Sequence, residues 1–186
     1  MFLGFLISVT VAIGLGIITS SSPRMNKILD PYIVFFQALP KVVLAPIFVT
    51  WFGFGPEAKI VMAAVIAFFP TYINTVIGMR SVEEESVMLF RSLVATKKQT
   101  FFRLTLPTAF PSIFGGLKSS LTFALIGAIV GEFVGANEGL GMLIQEFNYQ
   151  IEIPSVFVLT ILLSVVGLVL YLLMEWAEKK IVYWKE

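Results

Sequence analysis

The stretch MRSVEEESVMLFRSLVATKKQTFFRLTLPTAFP, residues 79–111, decides how the chain is read. Arg80, Glu83, Glu84, Glu85, Arg91, Lys97, Lys98 and Arg103 crowd into it, while the residues on either side are almost all apolar. So dense a set of charges cannot sit in hydrocarbon, so this interval lies in water or against another protein. Val87, Phe90 and Val94 are three and four apart, with Leu93 beside them, which is the spacing of one helix face. The glutamates fall where a helix N-terminus favours negative charge, and Lys97 and Lys98 where a C-terminus favours positive charge. The pattern predicts a short amphipathic helix at a membrane surface. Its apolar face is either presented to a partner or laid in the lipid headgroups.

Working outward, the 186 residues are 58% apolar and 13% charged, with a mean hydropathy of +0.92. A soluble domain carries about 25% charged residues, so the composition is that of an all-α integral membrane protein. There is no cysteine, and no histidine to serve as metal ligand or general base. The net charge of +1 points to no nucleic-acid partner.

Five spans are predicted. Residues 1–19 carry no charge and form the first; a basic n-region and a small-x-small cleavage site, the marks of a signal peptide, are both missing. Residues 20–30 form a polar connection, and Pro31 opens a second run to about Phe52, interrupted by Pro40, Lys41 and Pro46. Two prolines and a lysine inside a span predict either a broken helix along a translocation path or a kinked helix whose lysine snorkels. The third span, 58–78, holds Pro70 and Asn74. Pro107 and Pro111 bracket the start of the fourth, Ile113 to about Gly135. There Gly127, Gly131 and Gly135 continue a stripe of small residues from Ser120 and Ala124, which lets a neighbouring helix approach closely. Glu132 interrupts that stripe and is a functional candidate as a carboxylate near a span's end. An acidic connection, 136–152, leads to the fifth span, 153–174, and a short amphipathic tail.

Ten of the 13 basic residues lie in three segments: Arg24 and Lys27; Arg80, Arg91, Lys97, Lys98 and Arg103; and Lys179, Lys180 and Lys185. Five spans place all three segments on one side, the cytoplasm, with the N-terminus outside. No phosphate-binding Gly-x-x-x-x-Gly-Lys-Ser/Thr loop is present, the nearest stretch, Gly115 to Ser119, having the wrong spacing. A multi-span chain with broken helices, no catalytic constellation, no cofactor motif and a charged surface helix looks like one part of a transport machine.

Several phrases carry a resemblance. Leu104-Thr105-Leu106-Pro107 matches the end of the cytoplasmic "EAA" loop of permease subunits of bacterial ATP-binding-cassette importers of the type I, binding-protein-dependent class. Counting back puts the loop's Glu-Ala-Ala at Met88-Leu89-Phe90 and its glycine at Val94, and neither matches. Residues 92–101 nonetheless resemble the Ser-Leu-Gly-Ala-Ser-x-x-Gln-x-Phe of the nitrate, sulfonate, taurine and thiamine-precursor branch. Gln37-Ala38-Leu39-Pro40, Trp51-Phe52-Gly53-Phe54-Gly55, Gly131-Glu132-Phe133 and Glu138-Gly139-Leu140-Gly141 are similar to that branch too.

The resemblance covers the chain from Gly4 to the last span. It implies the type I importer permease fold, five transmembrane helices with a cytoplasmic coupling helix. It also implies a homodimer of permeases in a bacterial inner membrane, with two cytoplasmic ATP-binding subunits, an extracytoplasmic solute-binding protein and no cofactor. Val87, Phe90, Arg91, Leu93, Val94, Ala95 and Pro107 would couple to the ATPase, and Phe90→Glu would uncouple hydrolysis from uptake. Gln37, Pro40, Lys41, Asn74 and Glu132 would line the translocation pathway. Members of this branch commonly have one span more at the N-terminus. A valine in place of the loop glycine resists a left-handed turn, so a helix continuing through Val94 is the alternative. The rival functions are a self-sufficient channel lined by Lys41 and Glu132, and a membrane scaffold or enzyme subunit.

Overall fold

A computed structural model describes residues 1–135 and 138–184, all of whose regular structure is helical. The helices are α1 (Phe2–Ser20), α2 (Pro23–Ala38), α3 (Ala45–Phe52), α4 (Pro56–Arg80), α5 (Glu84–Ser92), α6 (Lys97–Thr100), α7 (Leu106–Phe133), α8 (Leu140–Tyr149) and α9 (Ile153–Ile181). Four crossings are single runs: α1, α4, Lys97–Phe133 and α9. The fifth is a broken span whose arms, Arg24–Ala38 and Lys41–Phe52, are bent by 82° at Leu39 and Pro40, the second arm opening with a 3-10 turn at Lys41–Leu44 before α3. Pro40 cannot donate to an α-helical ladder, so the second span breaks there.

Three boundaries differ from the sequence expectation. The segment 20–30 is not a polar connection: α2 starts at Pro23 and carries Pro31 in its interior. Its polar residues are met at the surface, where Asn26 Nδ2 donates to Asp30 Oδ2 at 2.6 Å. The fourth span starts well before Ile113, because a π-helical turn at Phe101–Thr105 joins α6 to α7. Pro107 has no N–H to offer the Arg103 carbonyl four residues back, so the α-helical ladder is interrupted where the wider turn lies. Finally, the tail after the fifth span is the last part of α9, with no break; Lys185 lies outside the described residues, as do Ala136 and Asn137 of the acidic connection.

Helix α4 is the core, packed against α1 on one side and α7 on the other. Small residues make this possible. A Cβ on Gly127 would stand 2.7 Å from Ala63 Cα, and one on Gly116 2.9 Å from the Pro70 carbonyl, so backbone meets backbone. Ser120, Ala124, Gly127 and Gly131 all lie buried on α7, whereas Gly135 falls beyond that helix and packs under the Phe54 ring. Ser120 Oγ donates to the Ala67 carbonyl and sits 2.7 Å from Thr71 Oγ1, and both side chains are fully buried. Ser120→Ala is expected to lower stability by about 1 kcal/mol, measured as a lower thermal midpoint in detergent. By contrast α9 packs mainly against α7 and α8, and most of its apolar residues face outward, as surface against lipid does.

The ends of the helices sort by charge. Ser20, Met79, Val87, Arg91, Lys97 and Phe101 share one cavity of about 410 Å³, so the C-terminal ends of α1 and α4 meet α5 and α6 on one face. Trp184 packs against Phe110 at 6.2 Å between ring centroids, which brings the end of α9 to the same face. On the opposite face Lys59 Nζ donates to the Glu138 carbonyl at 2.8 Å.

Candidate functional site

The segment from Glu83 to Thr100 is built from three local signals. Glu83 precedes α5, Glu84 and Glu85 occupy its first turn and Arg91 its last, each charge matching the helix dipole. The helix stops at Ser92. Val94 N–H donates to the Arg91 carbonyl and Ala95 N–H to the Phe90 carbonyl, both at 3.0 Å, a Schellman closure. Val94 occupies its left-handed position with φ 55°, so the turn is made in spite of the valine and the helix does not run on. Thr96 then starts α6 with a reciprocal capping box to Gln99. Residues 92–99 are thus a helix stop followed at once by a helix start.

A β-branched residue in the left-handed region is strained by roughly 1–2 kcal/mol. Val94→Gly is therefore expected to raise stability by about 1 kcal/mol. Thermal unfolding checks this, and a lower midpoint would mean that the valine methyls outweigh the strain.

The outward face of α5 is only partly the one the spacing picked out: Leu93 and Val94 lie on it, and Val87 and Phe90 do not. Val87 and Phe90 are half-buried, and Val87 and Arg91 line the cavity beneath the helix together with Ala95. The side chains offered to water are Met88 (56% exposed), Leu89 (58%), Leu93 (69%) and Val94 (86%). Met88 and Leu89 belong to the candidate surface although sequence reasoning passed over them; their signal was the unbroken apolar run 87–90. Pro107 is half-buried in the first turn of α7 and does not share this surface.

Of the pathway candidates, Gln37, Pro40 and Lys41 come together at the break in the second span. Lys41 Nζ donates to the Gln37 carbonyl at 2.9 Å and lies 4.5 Å from the centroid of the Phe69 ring. Asn74 is elsewhere, its Nδ2 donating to the Pro70 carbonyl one turn back on α4. Glu132 is a clasp between helices: its Oε2 accepts from Gly141 N–H at 2.8 Å, and Lys59 stands 4.0 Å from Oε1. Gly139 and Gly141 press so closely on this carboxylate that neither has room for a Cβ. Among the described residues, no group of three acidic side chains could hold a metal ion.

Residues 8–183 match the family described as binding-protein-dependent transport system inner membrane component. The chain belongs to this family. The match confirms the resemblance read from the sequence. Relatives include the formylaminopyrimidine transport permease protein ThiX of Halalkalibacterium halodurans, 34% identical over 99% of this chain and 74% of that protein. The putative aliphatic sulfonates transport permease protein SsuC of Bacillus subtilis is 33% identical over 98% of this chain and 66% of its own length. The taurine transport system permease protein TauC of Escherichia coli is 26% identical over 99% of this chain and 66% of its own. The chain thus spans two-thirds to three-quarters of these relatives.

Among solved structures, the inward-facing MetNI methionine ABC transporter superposes with a TM-score of 0.76 at 19% identity, covering 98% of this chain and 89% of that one. At that identity the likeness speaks for fold, and the fold is that of a type I importer permease. As a family member the chain is a membrane-spanning permease component.

Proposed function

We propose that this chain forms the translocation pathway of an ATP-driven importer for a small organic anion or small heterocycle. It works in a bacterial inner membrane as a homodimer, with two cytoplasmic ATP-binding subunits and an extracytoplasmic solute-binding protein. The observation that carries this reading is α5: a nine-residue helix on the basic face of a membrane bundle, with Met88, Leu89, Leu93 and Val94 turned to water. An apolar helix face with no cover of its own fits a groove in a partner. The relatives named for formylaminopyrimidine, sulfonate and taurine transport support the solute class. The chain itself carries no reaction; hydrolysis belongs to the partner, whose closure α5 transmits to the bundle.

Reconstitution into proteoliposomes tests this. Uptake is expected only when the ATP-binding subunit, the solute-binding protein and ATP are all supplied. Solute flux through the chain alone would replace the importer reading with that of a channel.

A further inference from the structure

Lys41 stands at an unusual depth. Phe69, whose ring its ammonium faces, is close to the centre of the 25-residue α4. At 1.5 Å per residue that ring lies about 20 Å from one end of the helix and about 17 Å from the other. The ammonium is therefore near the middle of a hydrocarbon core about 30 Å thick. Among the described residues no carboxylate comes within ion-pair distance of it, the three pairs being Lys59–Glu132, Lys118–Glu178 and Lys179–Glu175. One carbonyl and one ring face satisfy only part of a charge that is costly at this depth.

Beside it a cavity of about 280 Å³ opens between α1, the break in the second span and α4, walled chiefly by Phe36, Leu39, Phe68 and Phe69. Ser8 of α1 lines the same cavity. It is 2% exposed, and its Oγ has no hydrogen-bond partner. The other hydroxyls of α1 and its end behave differently: Thr10, Ser20 and Ser21 each donate to a carbonyl one turn back, and Thr19 Oγ1 accepts from Tyr72 Oη–H. The cavity thus holds one cation without a counter-ion and one hydroxyl without a partner, in walls that are otherwise aromatic and aliphatic.

We propose that this cavity is a solute-binding site inside the membrane for a small organic anion with an aromatic or apolar body. The carboxylate or sulfonate group pairs with Lys41 and accepts from Ser8 Oγ–H, while the body lies against Phe36, Phe68 and Phe69. That the ligand is cargo rests on the importer reading; the site itself does not. Such a site favours net anions over zwitterions and amines, whose cationic groups Lys41 repels.

The test is equilibrium binding of radiolabelled benzenesulfonate to the full chain, purified in nanodiscs without nucleotide. Saturable binding is expected, weakened at least about tenfold by Lys41→Met and about fivefold by Ser8→Ala. Lys41→Arg should restore most of it, and Lys98→Met, a change to an exposed cation outside the site, should leave it unchanged. Matching elution volumes on gel filtration show that each variant is folded. Toluene, the neutral shape of the same body, should not compete. Equal competition by toluene, or equal binding by Lys41→Met, would overturn the proposal and leave an apolar groove filled by lipid. Equal loss in Lys98→Met would overturn it also, as diffuse charge attraction. The two readings fail separately. Binding retained without ATP-driven uptake removes the importer and keeps the site, whereas uptake with no binding dependence on Lys41 does the reverse.

Discussion

Leu93→Glu is expected to give a folded permease that reaches the membrane yet takes up solute at least about tenfold more slowly. Leu93 is 69% exposed at the end of α5, beside Leu89 and Val94, and it makes no contact that the bundle needs. Its removal from a partner's groove, together with the burial of a carboxylate there, carries the penalty of a central interface residue, about 2–4 kcal/mol. The readout is uptake and ATP hydrolysis measured together in proteoliposomes holding the whole importer. Hydrolysis that continues while uptake falls is the expected signature; full coupled uptake would sink the docking role of α5. Phe90→Glu makes an instructive contrast. Phe90 is half-buried, and its carbonyl closes the turn through Ala95, so a charge there also unseats α5 from the bundle. Its effect would include a loss of stability that Leu93→Glu avoids.

The second large effect concerns folding. Gly127→Leu is expected to destabilise the bundle by about 3 kcal/mol or more, enough to abolish a monodisperse product in detergent. A Cβ at this position would lie 2.7 Å from Ala63 Cα and 2.9 Å from the Met62 carbonyl. Both are backbone atoms of the central helix and cannot turn aside as a flexible side chain would. Gly115→Leu is the control on the same helix, because the nearest atom to its Cβ is Asn74 Oδ1 at 3.9 Å. It should be tolerated, with a thermal midpoint close to that of the parent. Similar loss in both variants would mean that helix propensity, not close approach, governs this helix.

How much of this was legible beforehand depends on which signal each residue carried. The spans were legible because runs of apolar residues long enough to cross a bilayer have few other uses, and the break at Pro40 followed from its missing donor. The start of α2 was not, since Arg24, Asn26, Lys27 and Asp30 look like a connection whether or not they are helical. The phase of α5 was ambiguous for a related reason. Val87, Met88, Leu89 and Phe90 run consecutively, so apolar residues cover more than half the helix, and only contact with α1 and α4 chooses which of them face inward.

Polar residues within the spans carried a different signal. Asn74 and Glu132 read as pathway groups in the sequence; the fold gives their side chains partners, Pro70 one turn away for Asn74, and Gly141 and Lys59 on other elements for Glu132. Ser8 gave no signal at all. One serine in an apolar helix commonly bonds to its own backbone, and only the fold shows that this one does not.

Close approach at Gly4 of α1 and at Gly116 and Gly127 of α7 keys both helices to the backbone of α4 at points where no flexible side chain can give way and let them slide. Helices keyed in this way are expected to tilt as one slab. Whatever flexing accompanies the passage of a molecule is then borne at the periphery, by the elbow of the second crossing and by the loosely tethered last helix.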